Sequence, residues 1–278
     1  MKRYRLMALD FDRSPLDLAE EIPDDWEERL KEQHRRTQAN IRAWLVHTFG
    51  AADAERKCAD YVELGPSPMS VLAFHNHFYG DARAAFTLGA YYPALVAACA
   101  LGERMLNHLV RVLAPDYPAD TRIQRLASQR SADWKNMVAT LERLQVMVPK
   151  AAEAFLELYE RRNAALHFDP AVDREPRRFA LEALRCLAAI IDAEFSALGS
   201  QPWFIDNPNG FSFIKHDWEG NPFVKRVLLP QAMYVGPYHA LHLDVERGGW
   251  SVSDDYDYGD EELTDEEFMK RFRAGPPR

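Results

Sequence analysis

Between residues 159 and 167 the chain reads Tyr-Glu-Arg-Arg-Asn-Ala-Ala-Leu-His. Tyr159, Asn163 and His167 recur every four residues, so a helix places them on one face, with Arg162 about 100° away from Asn163. An imidazole exchanges a proton near neutral pH, and a guanidinium grips a phosphate with two hydrogen bonds without losing its charge. An amide between them can orient either group. Together these residue types suit general acid–base chemistry on a phosphodiester without a metal. A purely structural reading also fits, because the helix macrodipole favours a cation such as His167 in the last turn.

Other chemistry-bearing residues give weaker patterns. His75 and His77 are two apart and diverge on a helix, with no Cys or acidic cluster to complete a metal site. His239 and His242 fall on opposite faces of a strand. Cys58, Cys99 and Cys186 are dispersed among alanines and leucines, which suits reduced, buried thiols and neither a disulfide framework nor a zinc knuckle. No phosphate-cradling glycine loop or nucleophile elbow is present in the order its structure demands. Arg35-Arg36 and Arg177-Arg178 serve equally well as nucleic-acid contacts or as charged helix surface.

The elements that must carry these residues are mostly helical. A strand is expected over residues 3–11. Helices are expected over Asp24–Phe49, Ala51–Glu63, Met69–Gly89, Pro93–Leu113, Ser131–Leu144, Pro149–His167 and Arg178–Leu198. The clearest runs from Pro93 to Leu113, where Leu95, Ala98, Cys99, Gly102, Leu106, Leu109, Val110 and Leu113 recur every three or four residues. Asp169-Pro170 stops the helix that carries His167. From Trp203 onward apolar and polar residues alternate over Phe211–Ile214, Val224–Leu229, Ala232–Val235 and Leu241–Val245. Turns at Pro208-Asn209-Gly210, Glu219-Gly220-Asn221 and Arg247-Gly248-Gly249 separate them, which predicts a small antiparallel sheet over residues 200–253 with the N-terminal strand as a partner.

The chain has 278 residues, 47% of them hydrophobic and 28% charged, which excludes a disordered or collagen-like chain. Its longest apolar run, Tyr91–Gly102, falls short of the ~20 residues of a membrane span and is interrupted by Pro93. Asp10 and Asp12 follow the basic start too closely for a signal peptide. A soluble cytoplasmic protein with no membrane partner is expected. Nine acids and no base lie between Asp254 and Glu267, and these account for the whole net charge of −9. The rest of the chain is neutral, so a long nucleic acid is not coated through its phosphates, while a small basic pocket that handles one phosphate stays open. Tyr256, Tyr258, Leu263 and Phe268 within or beside the acidic segment could dock on a partner or over a basic groove.

Arg162-Asn163-x-x-x-His167 resembles the R-x(4–6)-H signature of the HEPN superfamily. Ala90 to Leu106, with Glu103 and Arg104 near its end, is similar to that family's first long helix. The likeness covers about residues 70–198. It implies a mainly α fold: a HEPN-like antiparallel helical bundle (70–199), with a strand-and-helix N-terminal extension (1–69), a small C-terminal β-rich region (200–253) and an acidic segment (254–278). It further implies a homodimer in which two R-x4-H helices meet, acting as a metal-independent endoribonuclease with no cofactor. Toxin–antitoxin or antiviral systems are the implied setting, with an antitoxin or defence protein as partner. On this likeness His167 is the general base or acid, Arg162 stabilises the phosphorane, and Asn163 positions one of them. Glu103 orients Arg162 or Arg161, and Tyr159 supports the same helix. Asp169 stands where some members carry a modified tyrosine. Since some members do not cut RNA, a non-catalytic dimerisation scaffold and a nucleotide-binding module remain the alternative expectations.

Overall fold

The structure is a computed structural model that describes residues 1–7, 12–129, 132–167, 169–197, 201–206, 212–244, 249–259 and 262–276. Residues 8–11 of the expected strand, the Pro208–Gly210 turn, Phe211, Val245, Leu198, Arg247, Gly248, Asp260 and Glu261 lie outside the described residues. The fold is mainly helical, with a small antiparallel region near the C-terminus. It divides into two compact units, Leu9–Ser196 and a second made of Met1–Ala8 with Ala197–Arg278. This differs from the four segments read above: residues 12–69 join the helical bundle, while the N-terminal strand joins the C-terminal region.

The first unit contains α1 (Ser14–Ala19), α2 (Glu28–Phe49), α3 (Ala54–Leu64), α4 (Ala73–Leu88), α5 (Tyr91–Leu113), α6 (Thr121–Ser128), α7 (Trp134–Arg143), α8 (Pro149–Leu166), α9 (Pro170–Arg174) and α10 (Pro176–Ile190). Pro149 and Pro176 start their helices where a missing N–H costs nothing. The Asp120, Asp133 and Asp169 carboxylates cap α6, α7 and α9 by accepting first-turn amides. Gly89, at a φ of 87°, ends α4 in the left-handed region and lets α5 fold straight back along it. Helices α4, α8 and α10 pack around α5. Its Leu95, Leu106, Leu109 and Leu113 side chains are completely buried on the face their spacing defines.

Buried polar groups of this unit have definite tasks. His75 is fully buried, its Nδ1 2.8 Å from the Ser70 hydroxyl, and desolvation pushes its pKa down to about 3. Asn76 bonds both the amide and the carbonyl of Ser70, whereas His77 faces solvent near Asp81. The 75–77 triplet is therefore a helix start. Asp60, 1% exposed, accepts from Arg56 at 2.7 Å, from Tyr91 at 2.9 Å and from Arg177 at 2.9 Å, tying α3 to α5 and α10. After Ile190 the chain widens into a π-helical turn, Ile191–Phe195, that turns Glu194 inward. One Glu194 oxygen accepts the Val148 amide at 2.9 Å, the other has no partner among the described residues, and burial raises the carboxyl pKa to about 8.

In the second unit β1 (Arg3–Leu6) lies between β2 (Ser212–Phe213) and β3 (Met233–Val235), antiparallel to both, with Arg5 opposite Phe213 and Tyr4 opposite Tyr234. Strands β4 (Ala240–Asp244) and β5 (Gly249–Ser253) form a separate hairpin, and α11 (Asp265–Ala274) follows. Two expectations are corrected here. Val224–Leu228 is a helical turn, not a strand. Asn221 accepts the Phe223 and Val224 amides as a helix cap does, and Pro222 follows it, so the apolar run winds up. Nor are Leu263 and Phe268 of the acidic segment free to dock on a partner. Leu263 and Phe268 are buried against Phe213, Asp254 pairs with Lys2 at 2.9 Å, and Asp265 pairs with Arg3 at 2.7 Å. His239 is buried between the Gly236 carbonyl and Arg5, whereas His242 is exposed on Ser253, so the two do not share a site.

Candidate functional site

The site is built where α8 lies antiparallel to α5. Three contacts join the two helices: the Tyr92 hydroxyl donates to the Ala165 carbonyl at 3.3 Å, Gly102 faces Leu158, and Glu103 meets Arg162. Gly102 makes the approach possible. A Cβ there would sit 2.5 Å from Leu158 Cδ2 and 3.1 Å from the Trp134 ring. With only a hydrogen in that place, the backbones close up. Trp134 completes the wall, its indole N–H donating to the Phe155 carbonyl at 3.0 Å.

One residue past that contact, Glu103 Oε2 accepts the Arg162 Nε at 3.1 Å. The two side chains are 29% and 25% exposed, so the pair is partly shielded and contributes about 1 kcal/mol. Its larger effect is positional. The carboxylate takes the Nε edge, and the terminal nitrogens of Arg162 form no further ion pair or hydrogen bond among the described residues. Arg161 leaves α8 in another direction, toward α10, where it pairs with Glu182 at 3.1 Å and packs over Phe179. Glu103 therefore serves Arg162 and not Arg161.

Asn163 is half-buried, and among the described residues no group bonds its amide side chain. Its backbone carbonyl accepts the His167 amide at 2.9 Å, which closes the last turn of α8. His167 is the residue that caps this end, with φ −107° and ψ 27°, so it has left helical geometry. Its ring is exposed and has no hydrogen-bond or ion-pair partner among the described residues. The single face expected for Tyr159, Asn163 and His167 thus stops before the histidine. Tyr159 is engaged elsewhere, its ring 6.0 Å from that of Trp134 and under the Lys135 ammonium at 4.8 Å. The structure brings Arg162 and Glu103 together, places Asn163 and His167 on the following turn, and assigns Tyr159 and Arg161 to packing.

Cys99, one turn before Glu103, is near Arg162, yet burial pushes its thiol up to about 12. Burial, with Glu157 nearby, does the same to Cys186. All three cysteines are free and buried, so none is primed as a nucleophile. Among the described residues no group of three or more His, Cys, Asp and Glu side chains is arranged to hold a metal ion. The other arginine pairs are largely spent. Arg177 is tied to Asp60 and Glu63, Arg178 to Glu175 and Glu182, and Arg35 to Glu28 and Glu32.

Two features of the site were not read from the sequence. Gly102 figured only as one apolar position in a row, although a glycine inside a long helix is a signal of close backbone approach. Leu88, Tyr92 and Leu166, each about half exposed, surround the end of the bundle where α8 stops. Isolated apolar residues in three different segments carry no pattern that marks a shared patch. Among the described residues no helix is long and apolar enough to cross a membrane. Comparison with protein-family models, with curated proteins and with solved structures finds no match to the chain.

Proposed function

We propose that the chain is a HEPN-type, metal-independent endoribonuclease that works as a homodimer in the cytoplasm, in a toxin–antitoxin or antiviral role. The observation that carries this reading is the Glu103–Arg162 pair, which fixes a guanidinium by one edge at the half-open seam of α5 and α8 and leaves its other nitrogens available. Asn163 and His167, both without side-chain partners among the described residues, follow on the next turn. In the reaction His167 takes the proton of a ribose 2′-hydroxyl as that oxygen attacks the adjacent phosphorus. Arg162 donates to the phosphorane oxygens, and Asn163 holds the phosphate or the ring. The 5′-oxygen leaves with a proton, and a cyclic phosphate remains. One imidazole cannot serve both oxygens in a single pass, so the second copy of His167 supplies that proton. The exposed Leu88, Tyr92 and Leu166 at this end support a subunit contact there.

The test is cleavage of single-stranded RNA by the purified chain with a chelator present. Activity that persists, and that falls by about a hundred-fold or more in His167→Ala and Arg162→Ala with unchanged thermal melting, supports the reading. Chelator-sensitive cutting, or variants as active as the parent, rejects it. A non-catalytic scaffold is the second reading, favoured by the same apolar end, and predicts a stable dimer indifferent to both substitutions.

A further inference from the structure

Resting on the ribonuclease reading, we infer that the outer face of α5 beside Arg104 binds the single-stranded RNA flanking the cut phosphate, with a base stacking on Phe78 and a phosphate on Arg104. Adjacent residues on a helix point about 100° apart, so Arg104 emerges beside Glu103 on the α4 side, while Glu103 faces α8. On a helix some 10–12 Å wide the two side chains stand on the order of 8 Å apart, close enough for one strand to pass both.

Arg104 is exposed, and its guanidinium carbon lies 5.4 Å from the centre of the Phe74 ring and 5.3 Å from that of Phe78. Among the described residues it has no carboxylate partner. Arg161 and Arg162 are each paired with an acid, whereas Arg104 is a cation held against two aromatic rings. The phenyl of Phe78 is itself 38% exposed, so part of the ring is open to a ligand. Below it His108 packs edge-on against Phe74 at 5.4 Å, and burial together with Arg104 lowers its pKa, so it adds a flat neutral ring. The charge is complementary to a polyanion. Between Arg83 and Asp116 the one carboxylate is Glu103, already committed to Arg162, and Arg111 continues the exposed face two turns on. Asp81, next to His77 on α4, sets the acidic edge of the surface. Planar rings joined to a guanidinium that no carboxylate pairs are what an unpaired strand recognises, because every base offers a π-face and every link a charge.

The experiment is anisotropy of a fluorescein-labelled, 2′-O-methylated single-stranded oligonucleotide, which the chain cannot cut, titrated with the full-length protein at about 50 mM salt. Phe78→Ala is expected to weaken binding about ten-fold, and to leave an abasic oligonucleotide unaffected. Arg104→Gln is expected to weaken both ligands and to lower the slope of log affinity against log salt by about one. Both side chains are exposed, so melting temperatures should not move. Affinities within about two-fold of the parent for both variants overturn the inference, as does a Phe78→Ala loss of equal size on the abasic ligand. If the parent cuts RNA but neither substitution alters binding, the inference fails and the nuclease reading stands. If binding depends on Phe78 and Arg104 but no RNA is cut, the reading fails and the binding surface stands.

Discussion

Gly102→Ala is the sharpest probe of how the site is assembled. At an open helix position this substitution stabilises by about 1 kcal/mol, because alanine is the better helix former. Here the new methyl group would lie 2.5 Å from Leu158 Cδ2 and 3.1 Å from Trp134, neighbours that are 0% and 3% exposed and have nowhere to go. Overpacking of a filled core costs about 1–3 kcal/mol. Against the propensity gain the net is a loss of roughly 0–2 kcal/mol, or up to about 8 °C in melting temperature for a unit of this size. The wider α5–α8 spacing also stretches the Glu103–Arg162 contact, so the proposed RNA cleavage should fall more than stability does. Leu158→Ala alone leaves a cavity worth about 2–5 kcal/mol. In the double variant the alanine methyl group fills part of that cavity, so the two losses should fall short of their sum by at least about 1 kcal/mol. Urea unfolding of the four proteins closes the cycle. A Gly102→Ala variant more stable than the parent, or losses additive to within about 0.5 kcal/mol, would refute the close-approach argument.

Stability should depend on pH from both sides. His75 is held neutral with a pKa near 3, so the folded chain binds fewer protons than the unfolded one below about 6.5, and stability drops as pH falls through that window. Glu194 is held protonated with a pKa near 8, so stability drops as pH rises from about 4.5 to 8, by roughly 1 kcal/mol per unit, and then levels off. Glu194→Gln should flatten the alkaline limb of a thermal-melt series while leaving the acid limb in place. Asp60→Ala removes the buried acceptor shared by Arg56, Arg177 and Tyr91 and, because both arginines are partly exposed and keep other partners, should cost about 1–3 kcal/mol, measurable by urea unfolding. Thr264→Ala removes the capping box of α11 and should cost about 1 kcal/mol in the second unit.

The helices that build the site were legible because their apolar spacing is dense: α5 and α8 lie close to the bounds read from Pro93, Leu113 and Pro149. Each of these helices buries one face, and a buried face leaves a period in the sequence. Arg162 and His167 were found by residue type and spacing. The partnership of Glu103 with Arg162 across 59 positions has no local signature, since it depends on which faces of α5 and α8 meet. Val224–Leu228 was misread because β-branched residues outweighed the Asn221-Pro222 start, whose amide-capping geometry decides the matter. The burial of Phe268 and the pairing of Asp265 with Arg3 join the two ends of the sequence, and composition there reported only charge. Phe78 and Arg104 sit on separate helices, and their contact exists only because Gly89 turns α5 back along α4.

The central claim is that Arg162, held by Glu103, and His167 at the tail of α8 break RNA through its own 2′-oxygen. The most direct measurement uses an oligodeoxynucleotide carrying a single ribonucleotide, incubated with the chain and a chelator, its products weighed by mass spectrometry. The account predicts scission at the ribonucleotide alone, yielding a 2′,3′-cyclic phosphate and a 5′-hydroxyl, and no scission with His167→Ala. Cutting at deoxy linkages, a 5′-phosphate product, or an undiminished His167→Ala reaction would contradict it.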